Sequence, residues 1–151
     1  MAEKSSFFTS LNGDRKYKSS DFAEYFSAFI GNGVFPNPWS NLLVTSNNDM
    51  TITLNEGKAW INGYMYHNDE KINLTVDTAD GVLKRIDSVV IRLDLANREI
   101  KAHIKKGVPA SYPIASELVR SGAMYEICVA QIEVNKGAIS ITGTNISDTR
   151  L

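Results

Sequence analysis

The chain has 151 residues, 43% of them hydrophobic, with 16 basic and 17 acidic side chains and a net charge of −1. That length fits a single domain with one sizeable core. The charge balance excludes the electrostatic footprint of a nucleic-acid binder or of a protein held on an anionic membrane, no apolar run approaches a membrane span, and the single cysteine, Cys128, excludes an internal disulfide.

The first residues, Met1 to Ser6, carry no apolar signal core, so synthesis in the cytoplasm without a leader is expected. Phe7 and Phe8 suggest a short strand or a docked arm, followed by a turn at Asn12-Gly13-Asp14. Ser19 to Ile30 is the clearest helix, and residues 18–31 bound it. Phe22, Tyr25, Phe26, Phe29 and Ile30 recur at i, i+3, i+4, i+7 and i+8, which makes one continuous apolar stripe. Ser20 or Asp21 is expected to cap it, with Glu24 completing a box with Asp21. Gly31 and Gly33 end it, and Pro36 and Pro38 prevent its return. A stripe this large is expected to lie on a sheet.

Strands are expected through residues 40–145. Leu42 and Val44 alternate with Leu43 and Thr45; Met50, Ile52 and Leu54 alternate with Thr51 and Thr53. Lys58 to His67 reads as a strand broken at Asn62-Gly63 by a bulge or tight hairpin. Ile72, Leu74 and Val76 form another strand. Arg85 to Gly107 reads as one long hairpin, around which the rest is organised. Val89, Ile91, Leu93 and Leu95 alternate in its first arm, Ile100, Ala102 and Ile104 in its second, and Ala96-Asn97-Arg98 makes the turn, with Asn supplying the left-handed residue. From 107 to 122 the chain is irregular, with a short helical turn expected over 115–120. Tyr125 to Val134 is apolar at almost every position, as in a strand covered on both faces. A turn at 135–137 and a returning strand over 138–142 complete the pattern. Closely spaced strands and turns predict a mainly β fold: an antiparallel sandwich with one N-terminal helix packed on it, in a single domain over 1–151.

No constellation for chemistry emerges. His67 and His103 have no Cys or His at metal-ligand spacing, there is no phosphate-binding loop, and no nucleophile motif. Neither a cofactor, a metal nor a catalytic role is expected. Cys128, between Ile127 and Val129, reads as a buried structural thiol. Trp60, Tyr64 and Tyr66 share strand parity; if no bulge intervenes they form one aromatic face, for a saccharide or, more readily, for core or oligomer packing.

Four stretches together resemble one family. F-A-E-Y-F-S-A-F-I-G-N-G-V-F-P-N-P (22–38), G-K-A-W-I-N-G-Y-M-Y (57–66), D-G-V-L-K-R-I-D-S-V-V-I-R-L-D (80–94) and N-I-S-D-T-R (145–150) look like the N-terminal, shoulder-like domain of baseplate and receptor-binding tail proteins of phages that infect Gram-positive bacteria. The resemblance runs in order along nearly the whole chain. It implies a β-sandwich with one N-terminal helix, often trimeric, located in the virion tail. Such a domain attaches to other tail or baseplate proteins, while a separate head binds the host saccharide or protein. The chain reaches Leu151 soon after the D-T-R element, without a neck or head, so attachment rather than direct receptor binding is the expectation. The contacts expected for assembly are Phe7, Phe8, Phe35, Trp39 and the Lys58 to Tyr66 strand. The alternative is a module that itself recognises cell-wall saccharide through Trp60, Tyr64 and Tyr66.

Overall fold

A computed structural model describes residues 2–150. The chain is mainly β, with antiparallel sheets and one α-helix near the N-terminus. Helix α1 spans Ser19–Ser27. The strands are β1 (Gly33–Val34), β2 (Val44–Ser46), β3 (Thr51–Leu54), β4 (Gly57–Ile61), β5 (Tyr64–Asn68), β6 (Ile72–Thr75), β7 (Arg85–Asp94), β8 (Glu99–Lys105), β9 (Met124–Val134) and β10 (Ile146–Asp148). They form three sheets, ordered β1-β4-β5, β2-β3-β6 and β10-β9-β7-β8. The sheets approach one another where β4 meets β9, β6 meets β8 and β10 meets β2, giving a sandwich-like body.

The central hairpin is the spine of the largest sheet. Val89, Ile91 and Leu93 face a continuous core with Leu42, Ile52, Leu54, Ile61, Ile132 and Ile141. Burying each such side chain contributes roughly 1.5–3 kcal/mol, so alternation along β7 is enough to fix which face turns inward. The register between β7 and β9 shifts at Val89/Val90, where Val129 is the extra residue of a bulge. The hairpin turn falls at 95–98 as expected, but the left-handed residue is Arg98 (φ 55°), not Asn97. Asn97 instead binds the Asp94 carboxylate through its backbone N–H (3.1 Å) and its side-chain amide (2.7 Å). Leu95 lies beyond β7 and is partly exposed.

Two buried carboxylates tie loops to this spine, on opposite faces of it. On the core side, Asp87 accepts from Arg85 (2.9 and 3.2 Å) and from Gly107 N–H (2.8 Å). Arg85, also buried, donates onward to the carbonyls of Thr78 (2.9 Å) and Asp77 (2.7 Å), which holds the 77–84 loop. On the outer side, Glu126 accepts from Arg92 (2.8 Å), Lys105 (2.7 Å) and Val119 N–H (2.7 Å), while Lys105 also donates to the Glu117 carbonyl (2.6 Å). The 107–122 segment is thereby strapped over the outer face of β9. This is how β9 comes to be covered on both faces. The strap has no helical turn over 115–120; Pro109 and Pro113 keep its first half extended, and its backbone bonds to the sheet at Ala110, Val119 and Ser121.

Two other expectations are corrected. Residues 138–142 do not return as a strand: Ile141 is buried and its N–H bonds to the Asp49 carbonyl (2.8 Å), Ile139 is exposed, and the edge partner of β9 is β10. A short helical turn at Gly143–Asn145, with Asn145 accepting from the Thr142 N–H (2.9 Å), carries the chain there. Strands also extend beyond the 40–145 window, at β1 and β10.

Helix α1 is shorter than expected and is set differently. Asp21 does not cap it but reaches back from its first turn to the Lys18 N–H (2.7 Å). The helix rests on the body through its small residue, Ala23, against the β4–β5 turn. Its aromatic stripe does not lie on a sheet: Phe22, Tyr25, Phe26 and Phe29 are all substantially exposed.

Candidate functional site

Two surface features are built from the residues that the sequence singled out. The first is an aromatic ridge. Phe7 stacks on Phe22 (centroids 4.8 Å apart) and also meets Tyr17 (5.0 Å) and Tyr25 (5.2 Å). This packing holds Phe7 in the left-handed region (φ 70°), a conformation that a bulky residue adopts only under constraint. Tyr25, Phe26 and Phe29 meet edge to face, and Phe26 reaches Trp60 (6.4 Å), which in turn meets Phe35 (6.4 Å). Phe22, Tyr25, Phe26, Phe29 and Phe35 together leave on the order of 500 Å² of residue surface in water. Lys4 pairs with Glu24 and with Asp21 along one flank, so the ridge carries little unbalanced charge there. Phe8 lies beside it, exposed, with Arg15 over its ring.

Trp39 is 72% exposed and stands at a second corner, under the Arg150 guanidinium (4.6 Å from the ring centroid). Arg150 donates to the carbonyls of Trp39 (2.6 Å) and Asn41 (2.8 Å), and is held by Asp148 (2.9 Å). The D-T-R element therefore pins the 35–41 loop to the end of the chain. Asn41, buried, completes that anchor: it donates to the Phe35 and Lys58 carbonyls and accepts from Lys58 N–H (2.7 Å). Gly57 is required there, because a Cβ would collide with the Asn41 side chain.

The second feature is a cleft of about 870 Å³ between β5 and the tip of the β7–β8 hairpin. Tyr64 and Tyr66 line it from one side and Leu93, Leu95 and Ile100 from the other, with His67, Arg98 and Glu99 at its rim. Burial raises the Tyr66 phenol above its ordinary range.

Trp60, Tyr64 and Tyr66 do not share a face. Asn62-Gly63 forms a two-residue hairpin turn, both residues left-handed (φ 50° and 84°), and not a bulge in one strand. The reversal pairs Trp60 with Met65, Ala59 with Tyr66 and Ile61 with Tyr64. Trp60 consequently faces α1 and the ridge, whereas the two tyrosines turn toward the core side and the cleft. The tight turn between β4 and β5 resets strand parity. Trp60 Nε1 is buried with no hydrogen-bond partner among the described residues.

The oxygens of Asp87 and Glu126 are occupied by structural donors on opposite faces of one sheet. Burial, followed by the charge of Arg92, lowers the His103 imidazole below its ordinary value. Among the described residues no three His, Cys, Asp or Glu side chains come together to hold a metal, and no helix is long and apolar enough to cross a membrane. Cys128 is half-buried, with its thiol toward the Ala130 carbonyl (3.3 Å). The class defined is a mainly β, sandwich-like protein with one N-terminal helix that carries its aromatic face outward. Comparison of the chain with protein-family models, with curated proteins and with solved structures gives no match.

Proposed function

We propose that this chain is a structural module of a phage tail baseplate, which docks on neighbouring tail proteins and on copies of itself, as a homotrimer, and positions host-receptor-binding parts. The observation that carries the reading is the aromatic ridge. A near-neutral chain keeps Phe22, Tyr25 and Phe26 of α1, and Phe29 and Phe35 beyond it, in water, while the helix seats on the body through Ala23 and the Phe26–Trp60 edge. Such a surface costs solubility unless another protein covers it. The Arg150 and Asn41 anchors support the same reading, since they hold Phe35 and Trp39 rigidly at the surface, and rigid aromatic side chains are favoured anchors at protein interfaces. The resemblance of residues 22–38, 57–66, 80–94 and 145–150 to shoulder-like tail domains adds the virion context.

The test is light scattering across a concentration series, with binding to purified tail-tip proteins encoded beside this chain's gene. Discrete self-association, or a stable complex, that is lost in Phe26→Asp and Phe29→Asp with the fold intact is the expected result. A strict monomer at high concentration that binds no tail protein overturns the reading.

A further inference from the structure

The cleft has a property that side-chain lining alone does not convey. Four consecutive residues of β5, Tyr64 to His67, border it. Successive side chains of a strand point to opposite faces, so a cleft bordered by four in a row runs along the strand's edge. That edge is open. β5 pairs only with β4 in its sheet. In a two-residue hairpin the residues flanking the turn form a hydrogen-bonded pair, here Ile61 with Tyr64, and bonding alternates from there. Tyr64, Tyr66 and Asn68 therefore bond inward to β4, and the N–H and C=O groups of Met65 and His67 point outward, with no backbone partner among the described residues.

The other sheet edges are managed differently. β1 has two residues and β2 and β10 have three each; β6 and β8 lie against each other, and β8 carries Lys101 and Lys105. β5 has five residues and neither lysine nor proline, the usual blocks to strand addition.

We infer that the open edge of β5 receives an extended peptide segment of a partner protein, added as a fourth strand to the β1-β4-β5 sheet. Its alternate side chains are apolar and enter the cleft over Tyr64, Tyr66, Leu93 and Ile100; the intervening ones are polar and lie beside Met65 and His67. Arg98 stands at the mouth and forms no ion pair with any described residue, whereas Glu99 is paired with Lys101 (3.0 Å). An acidic residue at the end of the segment complements it. Main-chain hydrogen bonds supply affinity and the alternate pockets supply selectivity. This inference uses neither the ridge nor the tail assignment and stands independently of both.

The probe is a synthetic peptide of alternating valine and threonine ending in aspartate, titrated into the full chain with amide resonances followed by NMR. Shifts centred on the Met65 and His67 amides are expected. Methylating the peptide nitrogens that face β5 is expected to weaken binding about tenfold, since each lost hydrogen bond removes a modest share of affinity. Met65→Pro removes an outward N–H and no β4 ladder bond and is expected to abolish binding, whereas Met65→Ala, which loses the same side chain but keeps the N–H, is expected to retain it. Exchanging the terminal aspartate for lysine is expected to weaken binding to the native chain, and Arg98→Glu to reverse that order. The inference is overturned if no shift appears at millimolar peptide, if the N-methylated peptide binds equally well, or if the shifts map to Tyr25, Phe26 and Phe29 instead. Protection of the same amides by rising concentration of the chain alone also overturns it, because a second copy would then be the occupant.

Discussion

The sandwich-like body and the N-terminal helix use apolar side chains in opposite ways. In the body, each strand turns its alternate apolar residues inward, and the polar groups that must be buried, Arg85, Asp87, Asn41 and Glu126, are bonded on every side. In the helix the largest side chains point outward and the smallest, Ala23, makes the seat. Both regions are rich in hydrophobic residues, so composition does not separate them. What separates them is whether a second layer lies within reach of the apolar face. The body is closed against itself; the helix is closed only on its inner side.

Breaking the body should have the largest effect. Asp87→Ala leaves Arg85 buried without its carboxylate and is expected to cost about 3–5 kcal/mol, read as a lower denaturation midpoint in urea. A loss of under about 1 kcal/mol would mean that the Thr78 and Asp77 carbonyls suffice for the guanidinium. Separating the two regions comes next. Gly63 has a left-handed backbone (φ 84°), and a Cβ there would collide with the Ala23 carbonyl. Gly63→Ala is expected to cost about 1–3 kcal/mol and to lift α1 from its seat. Proteolysis of the 2–18 arm and altered Trp60 fluorescence would report it, because Phe26 then leaves Trp60.

Acid should weaken the body. Burial pushes the Glu126 carboxyl up, but Lys105, the Val119 N–H and Arg92 outweigh this and hold it below the ordinary range. A folded value below the unfolded one means that the stabilisation is complete above the unfolded value and is lost as pH falls through the folded one. Asp148 follows the same sign, through its bond to Arg150. Stability is therefore expected to be level near neutrality and to fall below about pH 4. The 107–122 strap should loosen with it, seen as faster amide exchange at Val119. Glu126→Gln should flatten that dependence. The smallest effect on the isolated chain belongs to the ridge: Phe29→Ser should change stability by no more than about 0.5 kcal/mol while abolishing any association. A larger loss of stability would show that the ridge is part of the chain's own core.

Sequence periodicity was enough to locate the body. The period of two in the first arm of the hairpin survives as β7, because burial of one face penalises any other register, and the apolar run of 125–134 survives as β9, covered on both faces. The anchoring roles of Glu126, Asn41 and Arg150 were not legible, because their partners lie across the fold: Arg92 is 34 residues from Glu126, and the Trp39 carbonyl is 111 from Arg150. The only local hint was a charged residue inside an apolar run, as at Glu126. The site residues divided along similar lines. Phe7, Phe8, Phe35 and Trp39 were expected as assembly contacts; Phe8, Phe35 and Trp39 are exposed, Trp39 at a corner of its own, and Phe7 packs on Tyr17, Phe22 and Tyr25. Trp60, Tyr64 and Tyr66 were grouped by parity, and the two-residue turn between them placed them on opposite faces.

By itself, then, the amino-acid order determined the class of fold, the helix, most strands and the aromatic stripe, because these follow from local spacing and backbone preference. Only the tertiary structure decided which way the stripe faces, which carboxylates are buried and which strand edge stays open. Those outcomes depend on what lies on the far side of each element, and no window of neighbouring residues contains that information.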